Sequence, residues 1–476
     1  MISTIVFKEI SDHLKSLRFV LTFALIVILM AVSAFLFVNE YKQQTDDFSR
    51  NRNESLAQMS ERASNNGGLF MVYSFNFNGP WIYKAPNHLS FISEGHDSNL
   101  PNAFQPSAFK VFGPAKRIRS NILLWRSDPI DWVMIIGIIL SFAALLLVYD
   151  SVSGERENGT LRLFLSNSVS RSTLLFGKFL GGLIPIAAAL LAGVLIHLII
   201  LSVFGTIPIM AADWGIVGLT YVLSVIYISI FLMLGIFISA QTRESVTSIV
   251  VALICWALLV IVIPRTGGLF ASRVIDVPSW SDESARASRM QNEARSAYEE
   301  NNPELKGTGI SGHWSPGEPL ERAIVMSDAW SGVVDTYQNQ LINQVELARK
   351  LILVSPFVGF TNCIEKLTGS GIEHYKTFFN NVRDYKLVMR QSLLDQYTLP
   401  ANWHSGNEKL RTPENRAKFD EVLKPLDPDT VPQFQSKRAD MVIMINEALL
   451  YIFLLILFNI LFFAGAFVSF LRYDVR

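Results

Sequence analysis

The densest run of chemistry-bearing side chains in this sequence is Glu155-Arg156-Glu157, which continues through Asn158-Gly159-Thr160 into a short apolar run at 161–165. A charged start and an apolar end suit a short helix that docks into a groove on another protein. The plainer alternative is a solvated turn whose charges meet lipid headgroups. His88 and His96 share a segment with Glu94 and Asp97, a loose set of donors for a divalent cation, although a solvated loop accounts for them as well. His197 and Glu447 lie inside apolar runs, where ionisable groups default to a conduit or interface role. For His197 the structural alternative is a hydrogen bond to a neighbouring helix; for Glu447, near the end of its run, it is a snorkelling carboxylate. No hydrolytic constellation is present: there is no His-Glu-x-x-His, no Gly-x-Ser-x-Gly and no histidine pair at i, i+4. The sequence therefore predicts neither catalytic nor metal-ligating residues. Cys255 and Cys363 are too few for a disulfide scaffold, and Cys255 lies inside an apolar run.

The elements that must carry these residues are membrane helices. Half of the 476 residues are hydrophobic and 17% are charged, against about 25% in soluble proteins. Six stretches have the roughly 20 apolar residues a bilayer span requires: 19–38, 132–149, 179–204, 216–240, 246–263 and 441–471. Backbone groups in lipid must be satisfied internally, which makes these runs helices. The first has too long an apolar core, and no small-residue cleavage site after it, for a cleaved signal peptide. Residues 1–18 repeat Ile2, Ile5, Val6, Ile10, Leu14 and Leu17 at helical spacing with charges between them, the pattern of an interfacial helix.

Short loops set the orientation through Lys and Arg. Lys8, Lys15 and Arg18 precede the first span; Arg472 and Arg476 follow the last; Arg156, Arg162, Arg171 and Lys178 separate spans two and three, and Arg243 separates four and five. The loop 205–215 has Asp213 and no Lys or Arg. Both termini are thus predicted cytoplasmic, and segments 39–131 and 264–440 extracytoplasmic. The latter holds 21 Lys/Arg and 23 Asp/Glu, the composition of a soluble domain, with helical stretches at 281–300, 321–353 and 372–397 and a linker at 425–432. In 39–131 a polar helix-like stretch at 41–63 precedes aromatics that alternate over 70–77, the period of a strand. Lys plus Arg balances Asp plus Glu at 41 each, so no basic field holds nucleic acid. The predicted fold class is an all-α membrane protein, six transmembrane helices with an N-terminal interfacial helix and a mostly helical extracytoplasmic domain.

The loop 150–178 resembles the coupling loop of type-2 ABC transporter (ABC-2) permeases, whose pattern is Glu-Arg-Glu-x-Gly-Thr-Leu, a Pro-x-Ser/Ala-Arg turn and a Gly-Lys before the next span. Here it reads Glu155 to Leu161, then Ser168-Val169-Ser170-Arg171, then Gly177-Lys178, with Ser168 where the Pro usually stands. Ser355-Pro356, Leu367-Thr368-Gly369-Ser370-Gly371, Phe378 and Pro86-x-x-Leu89-Ser90-x-x-x-x-Gly95 are similar to the branch with a large domain between spans five and six, related to the permease of the nitrous-oxide-reductase maturation system. The resemblance implies a non-enzymatic exporter permease of a bacterial inner membrane, working as a homodimer on a separate cytoplasmic ABC ATPase. That subunit binds ATP and Mg; this chain has no Gly-x-x-x-x-Gly-Lys-Ser/Thr loop and is expected to hold no cofactor. The resemblance implies ATPase-coupling contacts from Glu155, Arg156, Glu157, Gly159, Thr160, Leu161, Phe164 and Leu165, with a second contact at 241–245. The alternatives are a subunit that transmits force or signal to an extracytoplasmic partner without a substrate conduit and, with only two intramembrane ionisable residues and no inverted repeat, a secondary transporter.

Overall fold

The computed structural model describes residues 2–73, 79–95, 100–112, 130–160, 170–205, 207, 210–305, 318–400, 402–404, 408–437 and 441–471, without the side chains of 112, 268, 269, 408 and 471. Among them, six helices are long and apolar enough to cross a membrane. This is an all-α multi-pass membrane protein.

Helix α1 (Ile2–Lys15) stops where the Ser16 hydroxyl donates to the His13 carbonyl at 2.7 Å. The same oxygen accepts the Phe19 amide at 3.2 Å and starts α2 (Leu17–Ser64). Its apolar first part contains 19–38, and with neither Gly nor Pro between 38 and 64 the helix has no reason to end there. It therefore runs on as a single 48-residue rod, about 39 Å past Val38 at 1.5 Å per residue. Helix α3 (Gly68–Tyr73) corrects the strand predicted from the aromatic alternation: Phe70 and Tyr73 are both buried in a short helix, so tertiary packing overrides a period-two pattern. Residues 74–78 lie outside the described residues.

The second span, α4, comprises Trp132–Met134, a wide π-helical stretch Ile135–Leu140 and Ser141–Val148. The Gly137 carbonyl accepts the hydroxyls of Ser141 and Tyr227, each at 2.7 Å, which satisfies it inside the bilayer. Short α5 (Ser153–Glu157) turns back to α6 (Arg171–Phe204), then α7 (Ala211–Gln241) and α8 (Ser245–Val274). Helix α7 is the central post, mostly buried among its neighbours, whereas the last span, α14 (Met441–Leu471), leaves most of its apolar surface exposed.

Opposite the termini lie helices α9 (Trp280–Asn301), α10 (Leu320–Leu351), α12 (Gly371–Gln396) and α13 (Pro413–Val422) and a small antiparallel sheet, β1 (Ile82–Tyr83), β2 (Ala103–Pro106) and β3 (Val111–Phe112). Phe104 of β2 packs on Tyr375, Phe378 and Phe379 of α12. Between α10 and α12 lies α11 (Pro356–Thr368), capped by Ser355 and ended by Gly369 at φ +58°. Its Phe360, Cys363, Ile364 and Leu367 join the core of the spanning helices rather than that of the distal domain. Phe360 stacks on Tyr227 with ring centroids 4.4 Å apart. Ser355 donates to the Leu259 carbonyl at 2.5 Å, and Phe357 occupies the space where a side chain on Gly137 would go. The pair Ser355-Pro356 thus opens a wedge helix between α4, α7, α8 and α14.

Candidate functional site

The site is built at the face carrying the chain's N-terminal helix. Where α4 ends, Arg18 donates to Asp150 at 2.8 Å and to the Tyr149 hydroxyl at 3.0 Å, tying the start of α2 to it. The Val152 and Ser153 amides both donate to the Ser239 hydroxyl at 3.0 Å, which fixes α5 against the end of α7. Helix α5 is only five residues long, so these tertiary bonds, not propensity, hold it.

Each charge of Glu155-Arg156-Glu157 then addresses a different element. Glu155 accepts Lys178 of α6 at 2.6 Å, and the same ammonium reaches Glu9 of α1 at 3.2 Å. Lys178 is 3% exposed at its side chain, so one buried cation serves two carboxylates. Arg156 donates to the Thr242 carbonyl at 2.8 Å, satisfying the C-terminal end of α7, where the helix dipole favours a cation. Glu157 accepts the Ser245 amide at 3.2 Å and its hydroxyl at 2.6 Å, capping the N-terminus of α8. The triplet therefore bonds directly to α6, to the end of α7 and to α8, and reaches α1 through Lys178.

Helix α1 approaches this closely because α6 presents glycines one turn apart. A Cβ on Gly177 would lie 2.6 Å from Ile5 Cγ2, and one on Gly181 would collide with the Glu9 side chain. Burial lowers the pKa of His13 in this layer, against the opposing charge of Glu9. Ser170 caps α6 by accepting the Thr173 amide at 3.2 Å, and Arg171 donates to the Phe470 carbonyl at 3.0 Å, bringing in the end of α14. Beyond Glu157 the chain turns at Gly159, whose φ of +71° favours glycine, with Thr160 donating to the Glu155 carbonyl at 3.2 Å. Leu161, Phe164 and Leu165 lie outside the described residues.

The remaining candidates separate. The His197 ring is buried against Phe91 and Trp132, with Nδ1 3.0 Å from the Met30 carbonyl: it bonds a neighbouring helix. Glu447 is half exposed and accepts Lys366 of α11 at 2.7 Å. His88 is not solvated: it is buried and bonded to buried Asp213 at 2.8 Å. His96 and Asp97 lie outside the described residues, among which no group of three His, Cys, Asp or Glu is placed to hold a metal ion. Composition missed Lys178 and Glu9 as members of the charged site; the signal available was Gly177 and Gly181 flanking a lone lysine at the edge of an apolar run.

Sequence comparison adds a family to this geometry. The family description "ABC-2 family transporter protein" fits residues 3–475. The chain belongs to this ABC-2 family. Two similar proteins are both described as "Probable ABC transporter permease protein NosY", from Pseudomonas aeruginosa (47% identical over 55 residues) and Stutzerimonas stutzeri (44% over 55). The match covers 12% of this chain and spans a fifth of each relative's length. The ABC-2 chain is a membrane permease related to these proteins.

Proposed function

We propose that this ABC-2 permease couples ATP hydrolysis by a separate cytoplasmic ATPase to export across a bacterial inner membrane. Both termini are cytoplasmic, two copies of the permease assemble on two ATPase subunits, and ATP with Mg binds to the ATPase. One observation carries the reading: Glu155, Arg156 and Glu157 bind three separate partners, Lys178, Thr242 and Ser245, on the predicted cytoplasmic face. A push on 155–165 is thereby shared among α1, α6, α7 and α8 rather than absorbed by one loop. Replacing Glu155 and Arg156 with Ala is expected to lower ATPase stimulation and copurification of the ATPase. Unchanged assembly together with unchanged activity would refute the coupling assignment.

Conformational work on an extracytoplasmic partner, with no substrate conduit, is the second reading. It is supported by α11, which fills the space between α7 and α14 and continues directly into the distal domain. A lipid- or water-filled path between two assembled permeases favours export; tightly packed spans with a protein bound on 264–440 favour force transmission.

A further inference from the structure

The segment 87–95 is irregular, yet it is bonded to three of the most buried elements in the molecule. Asn87 donates through Nδ2 to the Thr368 and Gly369 carbonyls at 3.0 and 3.2 Å, satisfying the end of the wedge helix α11. The adjacent His88 Nε2 donates to Asp213 Oδ2 at 2.8 Å, an oxygen that also accepts the Met210 amide at 2.7 Å at the start of α7. The Phe91 and Ile92 carbonyls accept the Trp132 and Val133 amides at 3.2 and 3.1 Å, the first residues of α4. The Glu94 amide donates to Asp131 at 2.9 Å, and Asp131 caps α4 through the Met134 amide at 2.7 Å. Gly95 sits so close to Glu365 of α11 that a Cβ would lie 2.5 Å from its carboxylate. Leu89, Phe91 and Ile92 are buried in the core of the spanning helices.

We propose that 87–95 is an extracytoplasmic clasp that makes the outer ends of α4, α7 and α11 move as one body, with His88 and Asp213 as the positioning pair joining α7 to the other two. Helix α4 begins at this clasp and ends at Val148, seven residues before Glu155, so a displacement delivered to the cytoplasmic triplet has a helical route to it. From the clasp the route passes to α11 and, through Ser370 and Gly371, into α12 of the distal domain. The inference rests on the coupling reading above for its source of motion, but the clasp itself stands on bonds within this chain. A buried hydrogen-bonded pair suits such a joint, because leaving one partner buried and unsatisfied is penalised, and the three elements stay together unless the pair is broken.

The test is hydrogen exchange of the full-length permease in nanodiscs, alone and assembled with its ATPase, with and without ATP. His88→Leu deletes the bond, and His88→Gln keeps a donor. Alone, His88→Leu is expected to speed exchange at the starts of α7 and α12 together by about tenfold, leaving 153–178 unchanged, with His88→Gln close to wild type. In the complex, ATP is expected to alter exchange at both the triplet and α12 in wild type and His88→Gln, but only at the triplet in His88→Leu. Response at α12 undiminished in His88→Leu, or exchange rising in α7 without α12, overturns the clasp. No ATP response at the triplet in wild type overturns the coupling reading instead, and the permease-alone arm still decides the clasp. Should His88→Leu fail to fold, Asn87→Ser removes the arm to α11 and must uncouple α12 in the same way; a variant that leaves α12 coupled counts against the proposal.

Discussion

Lys178 is the side chain on which the cytoplasmic layer turns. It is almost wholly buried and, among the described residues, is the one cation bonded to both Glu9 and Glu155. Removing it leaves two poorly solvated carboxylates facing each other, and breaking a buried pair by deleting one partner costs about 3–5 kcal/mol. We expect Lys178→Met to lower thermal stability by that order, and the double variant with Glu155→Gln to recover part of the loss; a melting curve equal to wild type would show the pair to be without consequence. In the distal domain, Lys110 donates to Gln291 at 2.9 Å and lies 4.7 Å from the Trp330 ring centre, yet burial pushes its pKa down to about 7. Below pH 7 both folded and unfolded chains carry the charge, and the folded state bears the full burial cost. Between about 7 and the unfolded value of 10.5 the folded chain binds fewer protons, so wild-type stability rises with pH. Lys110→Met should therefore be more stable than wild type at pH 6, by on the order of 1–4 kcal/mol, with the advantage shrinking at pH 9. An advantage independent of pH would mean that the ammonium is not the source. The triplet was legible because three charges in a row are conspicuous in an apolar chain. Their partners were not, since Lys178, Thr242 and Ser245 lie 23, 86 and 88 positions away, outside any local pattern.

Among the helices, close approach decides more than hydrophobic pattern. Helix α1 reads as interfacial from its periodicity, but its seat on α6 depends on the missing side chains at 177 and 181. Gly181→Leu would meet Glu9, and overpacking a tight contact costs typically about 1–3 kcal/mol. We expect α1 to be displaced in that variant and cleaved faster by a protease added on the cytoplasmic side, while the spans keep their melting temperature. Protease resistance equal to wild type would exclude close packing there. The wedge helix α11 was hidden for a different reason. Its Ser355-Pro356 start reads equally as the end of the preceding helix, and only the burial of Phe360 and Leu367 among the spans assigns it to the membrane half. The strand predicted over 70–77 failed at 70–73 because alternating aromatics also satisfy a short helix buried on most sides.

Among the described residues two large cores stand out, one among the spanning helices and one in the distal domain. One buried link between them is Arg349 of α10 with Glu365 of α11, the latter 1% exposed. Arg349→Met leaves Glu365 buried without its cation, and we expect the distal domain to unfold separately from the spans. Calorimetry should then show two transitions in place of one; a single transition at the wild-type temperature would show that the cores are held together elsewhere.

The sequence by itself determined the six spans, the distal charged domain and the charged triplet, because burial in lipid demands uninterrupted apolar length and the positive residues flanking it are local in the chain. Tertiary structure alone decided which partners the triplet takes, where the wedge inserts, and that His88 is a buried partner of Asp213 rather than a solvated loop residue. Hydrogen bonds between different helices, 23 to 125 positions apart here, leave no periodic trace in composition; they exist only once packing has brought the helix ends together.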